Sequence, residues 1–128
     1  MSRRLTQLIA DKVTAFTGYI TTLDDKQLPT LLRKGTPVVF FPPPETVWDT
    51  PHRGTATYKL VVSVPGKGDD VESWPDLDAA FMAVKAALDD EAYGVDSQRP
   101  VDFKPESGAA WLAYEVTFTV NPITDAHY

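Results

Sequence analysis

The sequence contains no cysteine, which excludes disulfide bonds, thiolate metal sites and cysteine catalysis and fits a reducing compartment. Histidine is scarce: His52 and His127 each lack a second ligand at helical or hairpin spacing, so no metal site is predicted. No apolar run approaches the roughly 20 residues that span a bilayer. Asp11 and Lys12 interrupt the N-terminal apolar stretch, so it does not resemble a signal peptide. We therefore expect synthesis in the cytoplasm and no membrane partner.

Catalytic patterns are also missing. The sequence has no G-x-S-x-G element, and its Gly66–Gly68 segment lacks the rest of a phosphate-binding loop. Acidic pairs at Asp24–Asp25, Asp69–Asp70 and Asp89–Asp90 fall in predicted loops and helix ends, where solvated charge is the commoner interpretation than acid–base catalysis. The sequence predicts neither an enzyme nor a cofactor.

Positive charge is scarce beyond the N-terminal quarter. The 128 residues carry a net charge of −6. Residues 1–34 hold six basic against three acidic side chains, and residues 35–128 hold six against fifteen. Free nucleic-acid binding therefore has little support, because neutralising phosphates needs a basic face. The uneven charge indicates either ordinary solvation or two differently charged faces in an assembly.

Two amphipathic helices are predicted. The first covers about residues 3–19, and its apolar side chains recur at helical spacing. The second opens at Ser73–Pro75, with proline well placed in a first turn, and alanines along it favour close packing on a sheet. The first stripe consists of Leu5, Leu8, Ile9, Val13, Phe16 and Ile20, and the second of Leu77, Phe81, Val84 and Leu88.

Four strands are predicted. Residues 38–41 form a short apolar run that three prolines end. Residues 55–64 and 111–120 alternate clearly, with residues 56, 58, 60, 62 and 64 of the first on one face. Residues 95–103 form a weaker strand that Pro100 marks as an edge. Leu28–Leu32 is one helical turn closed by Gly35, and residues 65–70 form a polar turn.

The order helix, strand, strand, helix, strand, strand predicts one α+β domain over residues 1–128 with a loose tail at 121–128. We expect one mainly antiparallel sheet of four strands, or slightly more, with two helices packed on one face. Of the tryptophans, Trp48 and Trp111 lie outside the predicted core face and are candidate interface anchors, whereas Trp74 packs where the second helix begins.

The sequence resembles a known family in the stretch TPVVFFPPPETVWDTPHRGTATYKLVVSV, in WPDLDAAFMAVKAALDD and in the final strand WLAYEVTFTV. Together with the amphipathic first helix, these segments are similar to tail terminator proteins of long-tailed bacteriophages, especially those infecting actinobacteria. The resemblance covers most of the chain and rests on the combination of segments, since none is diagnostic alone.

The resemblance implies a homo-hexameric ring at the head-proximal end of the tail tube. Such a ring stops tube polymerisation and offers the surface that joins the head, so the implied partners are the tail tube protein and the head–tail connector. The implied location is the tail or neck of the virion, with DNA passing through the ring unbound. No catalytic or cofactor residues are implied.

Candidate contact residues follow from this hypothesis. Asp69, Asp70 and Glu72 are candidates for the ring lumen or a charged interface, and basic side chains are expected to meet an acidic neighbour. The candidate interface set comprises Trp48, Arg53, Trp111, Arg3, Arg4, Arg33 and Lys34.

Three alternatives remain open. A head–tail connector, head-completion protein or other minor tail protein would also form rings. A small enzyme or ligand-binding domain would place its pocket between helices and sheet, near Trp48, His52 and Arg53. A regulatory adaptor would bind one host partner.

Overall fold

The chain forms three helices and six strands in the part that a computed structural model describes, which is residues 3–65, 74–103 and 111–124. A 3-10 turn precedes the second helix. The helices are α1 (Arg3–Thr17), α2 (Leu28–Leu32) and α3 (Trp74–Asp90). The strands are β1 (Ile20–Thr22), β2 (Val38–Phe40), β3 (Glu45–Thr50), β4 (Arg53–Ser63), β5 (Val95–Phe103) and β6 (Trp111–Thr124).

One mixed sheet contains all six described strands, in the order β1-β2-β4-β6-β5 with β3 beside β4. The β1–β2 pair is parallel, and the remaining described pairs are antiparallel. The α+β class is confirmed, but the expectation of a mainly antiparallel sheet of four strands is wrong. The two strands that the sequence did not predict are β1 and β3. Strand β1 is three residues long and β3 is almost wholly exposed, so neither carries a strong alternating apolar pattern.

The proline segment separates two short strands, β2 and β3, that pair with the same edge of β4. Phe40 of β2 is the partner of Val61, and Glu45 of β3 is the partner of Thr57. Pro42–Pro44 lie between these pairings, and proline has no N–H to donate to a ladder. The chain therefore leaves β4 as β2 ends and returns to the same side as β3.

The main hydrophobic core lies on one face of the sheet. Residues 56, 58, 60, 62 and 64 are at most 1% exposed, which confirms the predicted inward face of β4. Val116, Phe118 and Val120 add the inward face of β6, and Phe118 stacks on Tyr58 at a centroid distance of 5.1 Å. The same cluster includes, from the helices, Leu5, Ile9, Ala10, Val13, Leu77, Ala80, Phe81, Val84, Ala87 and Leu88.

A second, smaller cluster lies on the opposite face. Val39 belongs to the main core, so its neighbours Val38 and Phe40 point the other way. There they pack with Leu28 and Leu32 of α2. The predicted turn at Leu28–Leu32 is confirmed, and Gly35 follows it with a φ of 84°. The helix thus covers the β1–β2 end of this face.

Several boundaries differ from expectation. The first helix ends at Thr17 rather than near residue 19, because Gly18 adopts a φ of 76° and donates to the Thr14 carbonyl at 2.8 Å. Leu8 and Phe16 are 50% and 53% exposed, so the predicted apolar stripe is too wide. Of the predicted stripe, Leu5, Ile9 and Val13 are the residues of α1 that are buried in the core.

The loose tail predicted at 121–128 is wrong for its first half. The final strand continues to Thr124 because Ile123 pairs with Gly54 and is fully buried. Residues 125–128 and all of the predicted 65–70 turn except Pro65 lie outside the described residues. The helix predicted from Ser73–Pro75 onwards is confirmed as α3, and the edge position of β5 is confirmed.

Candidate interaction surfaces

A hairpin formed by β3 and the first part of β4, which we call the distal hairpin, carries two of the predicted contact residues, Trp48 and Arg53. Trp48 pairs with Gly54 and is 41% exposed, and Val47 pairs with Thr55 and is 59% exposed. Adjacent strand residues point to opposite faces, so the distal hairpin exposes an apolar side chain on each face. The sequence interpretation included Trp48 but did not find the strand that positions it.

Gly54 holds Trp48 in place by the absence of a side chain. A Cβ atom built at Gly54 would lie 2.5 Å from the Val47 carbonyl oxygen and 3.1 Å from Cε3 of the Trp48 ring. The ring therefore packs directly over the glycine backbone. Only the strand pairing reveals this close approach.

The hairpin turn is closed by a side chain. Oγ1 of Thr50 accepts hydrogen bonds from the backbone N–H groups of His52 at 3.4 Å and Arg53 at 3.1 Å. His52 and Arg53 are both exposed. Trp48, His52 and Arg53, where the ligand-binding alternative expects a pocket, therefore lie on an exposed hairpin.

The two candidate tryptophans lie at opposite ends of the sheet. The Trp111 backbone pairs with Phe103 at the start of β6, whereas Trp48 lies beside Gly54, which pairs with Ile123 near the end of β6. About twelve residues of strand separate these levels, or roughly 40 Å at 3.3 Å per residue. They cannot form one contact patch on a single copy.

The predicted basic residues also separate. Arg4 is exposed at the beginning of α1, and the neighbouring Thr6 hydroxyl hydrogen-bonds that of Tyr58 at 2.9 Å. Arg33 and Lys34 are exposed after α2, before Val38, which pairs with Ser63. Tyr58 and Ser63 are five residues apart on β4, or roughly 17 Å. For Arg3 only the backbone is described, and Asp69, Asp70 and Glu72 lie outside the described residues.

The acidic end of α3 has partners from two helices. Lys85 pairs with Asp89 at 2.7 Å, and Lys12 of α1 pairs with Glu91 at 2.9 Å. The hydrogen bond and charge of Glu91 raise the pKa of Lys12. Acidic side chains at a helix C-terminus are unfavourable, and these two bonds supply compensating positive charge. Asp90 and the nearby Asp96 of β5 are exposed and form no ion pair with a described residue.

A polar contact joins the beginning of α3 to the sheet. The Tyr114 hydroxyl donates to Asp78, and the Tyr114 ring packs edge-on against Phe81 at a centroid distance of 5.7 Å. The hydrogen bond to Asp78, followed by desolvation, raises the pKa of Tyr114. This contact ties the exposed Asp78 of α3 to β6.

A groove of about 350 Å³ lies on the open face of the sheet, where the proline segment leaves β4. Lys59 is its basic lining residue, and Glu45 and Glu115 are its acidic ones. Within the described ranges no group of histidine and acidic side chains is placed to hold a metal ion. None of the described helices is long and apolar enough to cross a membrane.

No protein-family model matches the chain, and no curated protein matches it significantly.

Proposed function

We propose that this chain is a structural protein of a bacteriophage tail. Six copies form a ring at the head-proximal end of the tail tube, where the ring stops polymerisation and offers the head-joining surface. The location is the neck of the virion, and the role is assembly rather than catalysis. The proposal begins from the resemblance of the sequence to tail terminators.

The observation that carries the proposal is a sheet open at both sides. In the described ladder β1 pairs only with β2, and β5 pairs only with β6. Edge strands are usually protected or covered by another chain. A ring uses two different surfaces on opposite sides of each copy, and one such sheet offers two.

The distribution of helices supports the same arrangement. We infer that α1 and α3 both cover one face of the sheet, since their buried residues share one cluster with the inward residues of β4. The opposite face carries polar side chains such as Thr57, Lys59 and Thr117, and among the described helices it packs with α2. Copies of such a subunit can be placed edge to edge, through their terminal strands, without rearranging the core.

Electrostatics suit a channel for DNA. Six copies of a chain with net charge −6 carry about −36 per ring, which repels phosphate and lets the duplex slide. Asp69, Asp70 and Glu72 remain the candidate lumen residues. If neutralising Asp69 and Asp70 together changes neither assembly nor DNA passage, the lumen assignment is refuted.

The direct test is negative-stain electron microscopy of the concentrated protein beside a native mass measurement. Rings of six with a central hole are the expected result. If the protein is monomeric, the same imaging is repeated after mixing with tail tubes, because the tube end can act as a template. Failure to bind tube ends in that second experiment refutes the proposed function.

Deletion of the gene separates a terminator from a connector. Loss of a terminator gives overlong tails without heads, whereas loss of a connector gives tails of normal length beside unjoined heads. Tail lengths measured by electron microscopy decide between the two.

A further inference from the structure

Two exposed charged patches lie near the two lateral edges of the sheet. The basic patch is Arg33 and Lys34, between α2 and β2, and the acidic patch is Asp90 and Asp96, at the junction of α3 and β5. All four side chains are exposed and form no ion pair with another described residue. The other acidic residues of this junction, Asp89 and Glu91, already have internal partners.

The strand order places these patches near the two lateral edges of the sheet in one copy. The connection that carries Arg33 and Lys34 leads into β2, which lies next to the terminal strand β1. The junction that carries Asp90 and Asp96 leads into β5, the terminal strand at the other end. Neither patch can therefore neutralise the other within the same chain.

We propose that Arg33 and Lys34 of one copy contact Asp90 and Asp96 of the next copy, so that this contact orients neighbours in the assembly. The inference rests on the proposed ring and names the surfaces that form it. Opposite charge on opposite sides favours head-to-tail repetition. A two-fold dimer through either patch would instead place like charges together.

The geometry adds one requirement. Along β4, Val38, where the basic connection joins the sheet, is at the level of Ser63. Val95, next to Asp96, is at the level of Tyr58, since Val95 pairs with Phe118 and Phe118 with Tyr58. This difference is roughly 17 Å along the strand direction. Neighbouring copies therefore meet with their strands inclined to the ring axis, as strands do when a sheet curves around an axis.

The test exchanges the charges. Salt alone is a poor probe, because it screens both the specific contact and the general repulsion between acidic copies. Arg33→Glu/Lys34→Glu and Asp90→Lys/Asp96→Lys each place like charges across the contact. The fourfold variant carrying all these changes restores complementarity and keeps the net charge of the wild type, which is −6.

Sedimentation velocity over a concentration series measures self-association, with circular dichroism as the check on folding. Each double variant is expected to associate about tenfold or more weakly than the wild type, and the fourfold variant is expected to recover association. Lys26→Glu/Lys59→Glu is the matched control and is expected to associate like the wild type. It changes the net charge as Arg33→Glu/Lys34→Glu does, both side chains are exposed, and neither belongs to a patch.

Two results would overturn the contact. One is a pair of double variants that associate like the wild type. The other is a wild type that stays monomeric up to about 1 mM, since such a contact would be too weak to orient neighbours. Either result leaves the proposed function standing if the wild type still binds tube ends, so the two failures are distinguishable.

Discussion

Replacing Gly54 with alanine tests how the distal hairpin is built. The φ of Gly54 lies outside the left-handed region, so alanine meets no backbone restriction there. The obstacle is space: the added Cβ would lie 2.5 Å from the Val47 carbonyl oxygen, a distance that Cβ contacts essentially never reach. Because this oxygen belongs to the paired backbone of β3, relief requires β3 to move away from β4.

The expected cost follows from overpacking. Forcing extra atoms into a well-packed site costs about 1–3 kcal/mol, and the upper half of this range applies here because the atom approached is backbone. Gly94 provides the control, because no atom lies within 4 Å of a Cβ built there and its φ is also unrestricted. Gly94→Ala is expected to stabilise by about 0.4–1 kcal/mol through the unfolded state. The two alanine variants should therefore differ by about 2–4 kcal/mol.

Urea denaturation of both variants measures the free energies of unfolding, and amide hydrogen exchange locates the damage. Loss of protection is expected in β3 and in β4 up to Thr57, with the helices unaffected. If Gly54→Ala is as stable as Gly94→Ala, the close approach is not real and the explanation of the hairpin is refuted.

A double-mutant cycle with Trp48→Ala then separates the two obstacles at Gly54. Removing the indole relieves the 3.1 Å contact with Cε3 but leaves the backbone oxygen in place. The cost of Gly54→Ala is therefore expected to persist in the Trp48→Ala background. A cost that disappears there would show that the ring, and not β3 pairing, determines the need for glycine.

Three further predictions concern the core and its edges. Tyr114, whose pKa the Asp78 hydrogen bond raises above 10.0, contributes stability that is fully present below pH 10.0 and is lost as pH rises through the raised value. Unfolding free energies measured from pH 8 to 11.5 should therefore fall less steeply for Tyr114→Phe than for the wild type. Leu5→Ala should cost about 2–5 kcal/mol, because Leu5 is 3% exposed. Leu8→Ala should change stability by less than about 0.5 kcal/mol in the same denaturation assay, and equal costs would contradict the assigned inward face. Phe118→Ala should cost about 3–5 kcal/mol and remove the near-ultraviolet dichroism of the stacked rings.

Much of the fold follows from local pattern. Period-two alternation predicted β4 and its inward face, because residues alternate sides along a strand whatever lies beyond them. Helical spacing and a proline in the first turn predicted α3. The three prolines predicted the end of β2, since a missing N–H breaks a ladder in any context.

The strands that sequence reasoning missed depend on their partners. Ile20–Thr22 is three residues long, and it becomes a strand only because Val38–Phe40 lies beside it. Glu45–Thr50 is mostly exposed, so it lacks the apolar alternation that marks a strand with one buried face. For this reason the described sheet has six strands, where the sequence predicted four or slightly more.

For the candidate contact residues as well, local pattern identified the residue types, and pairings between distant segments determined where they lie. Composition, charge asymmetry and the resemblance made Trp48, Arg33 and Lys34 candidates, because exposed aromatic and basic side chains are recognisable from the sequence. Only the tertiary structure decided that the basic pair is on the opposite side of the sheet from Asp90, and that Trp48 lies over Gly54. The physical reason is that hydrophobic period and proline chemistry act within a few residues, whereas the sides of a sheet are determined by pairings between distant segments.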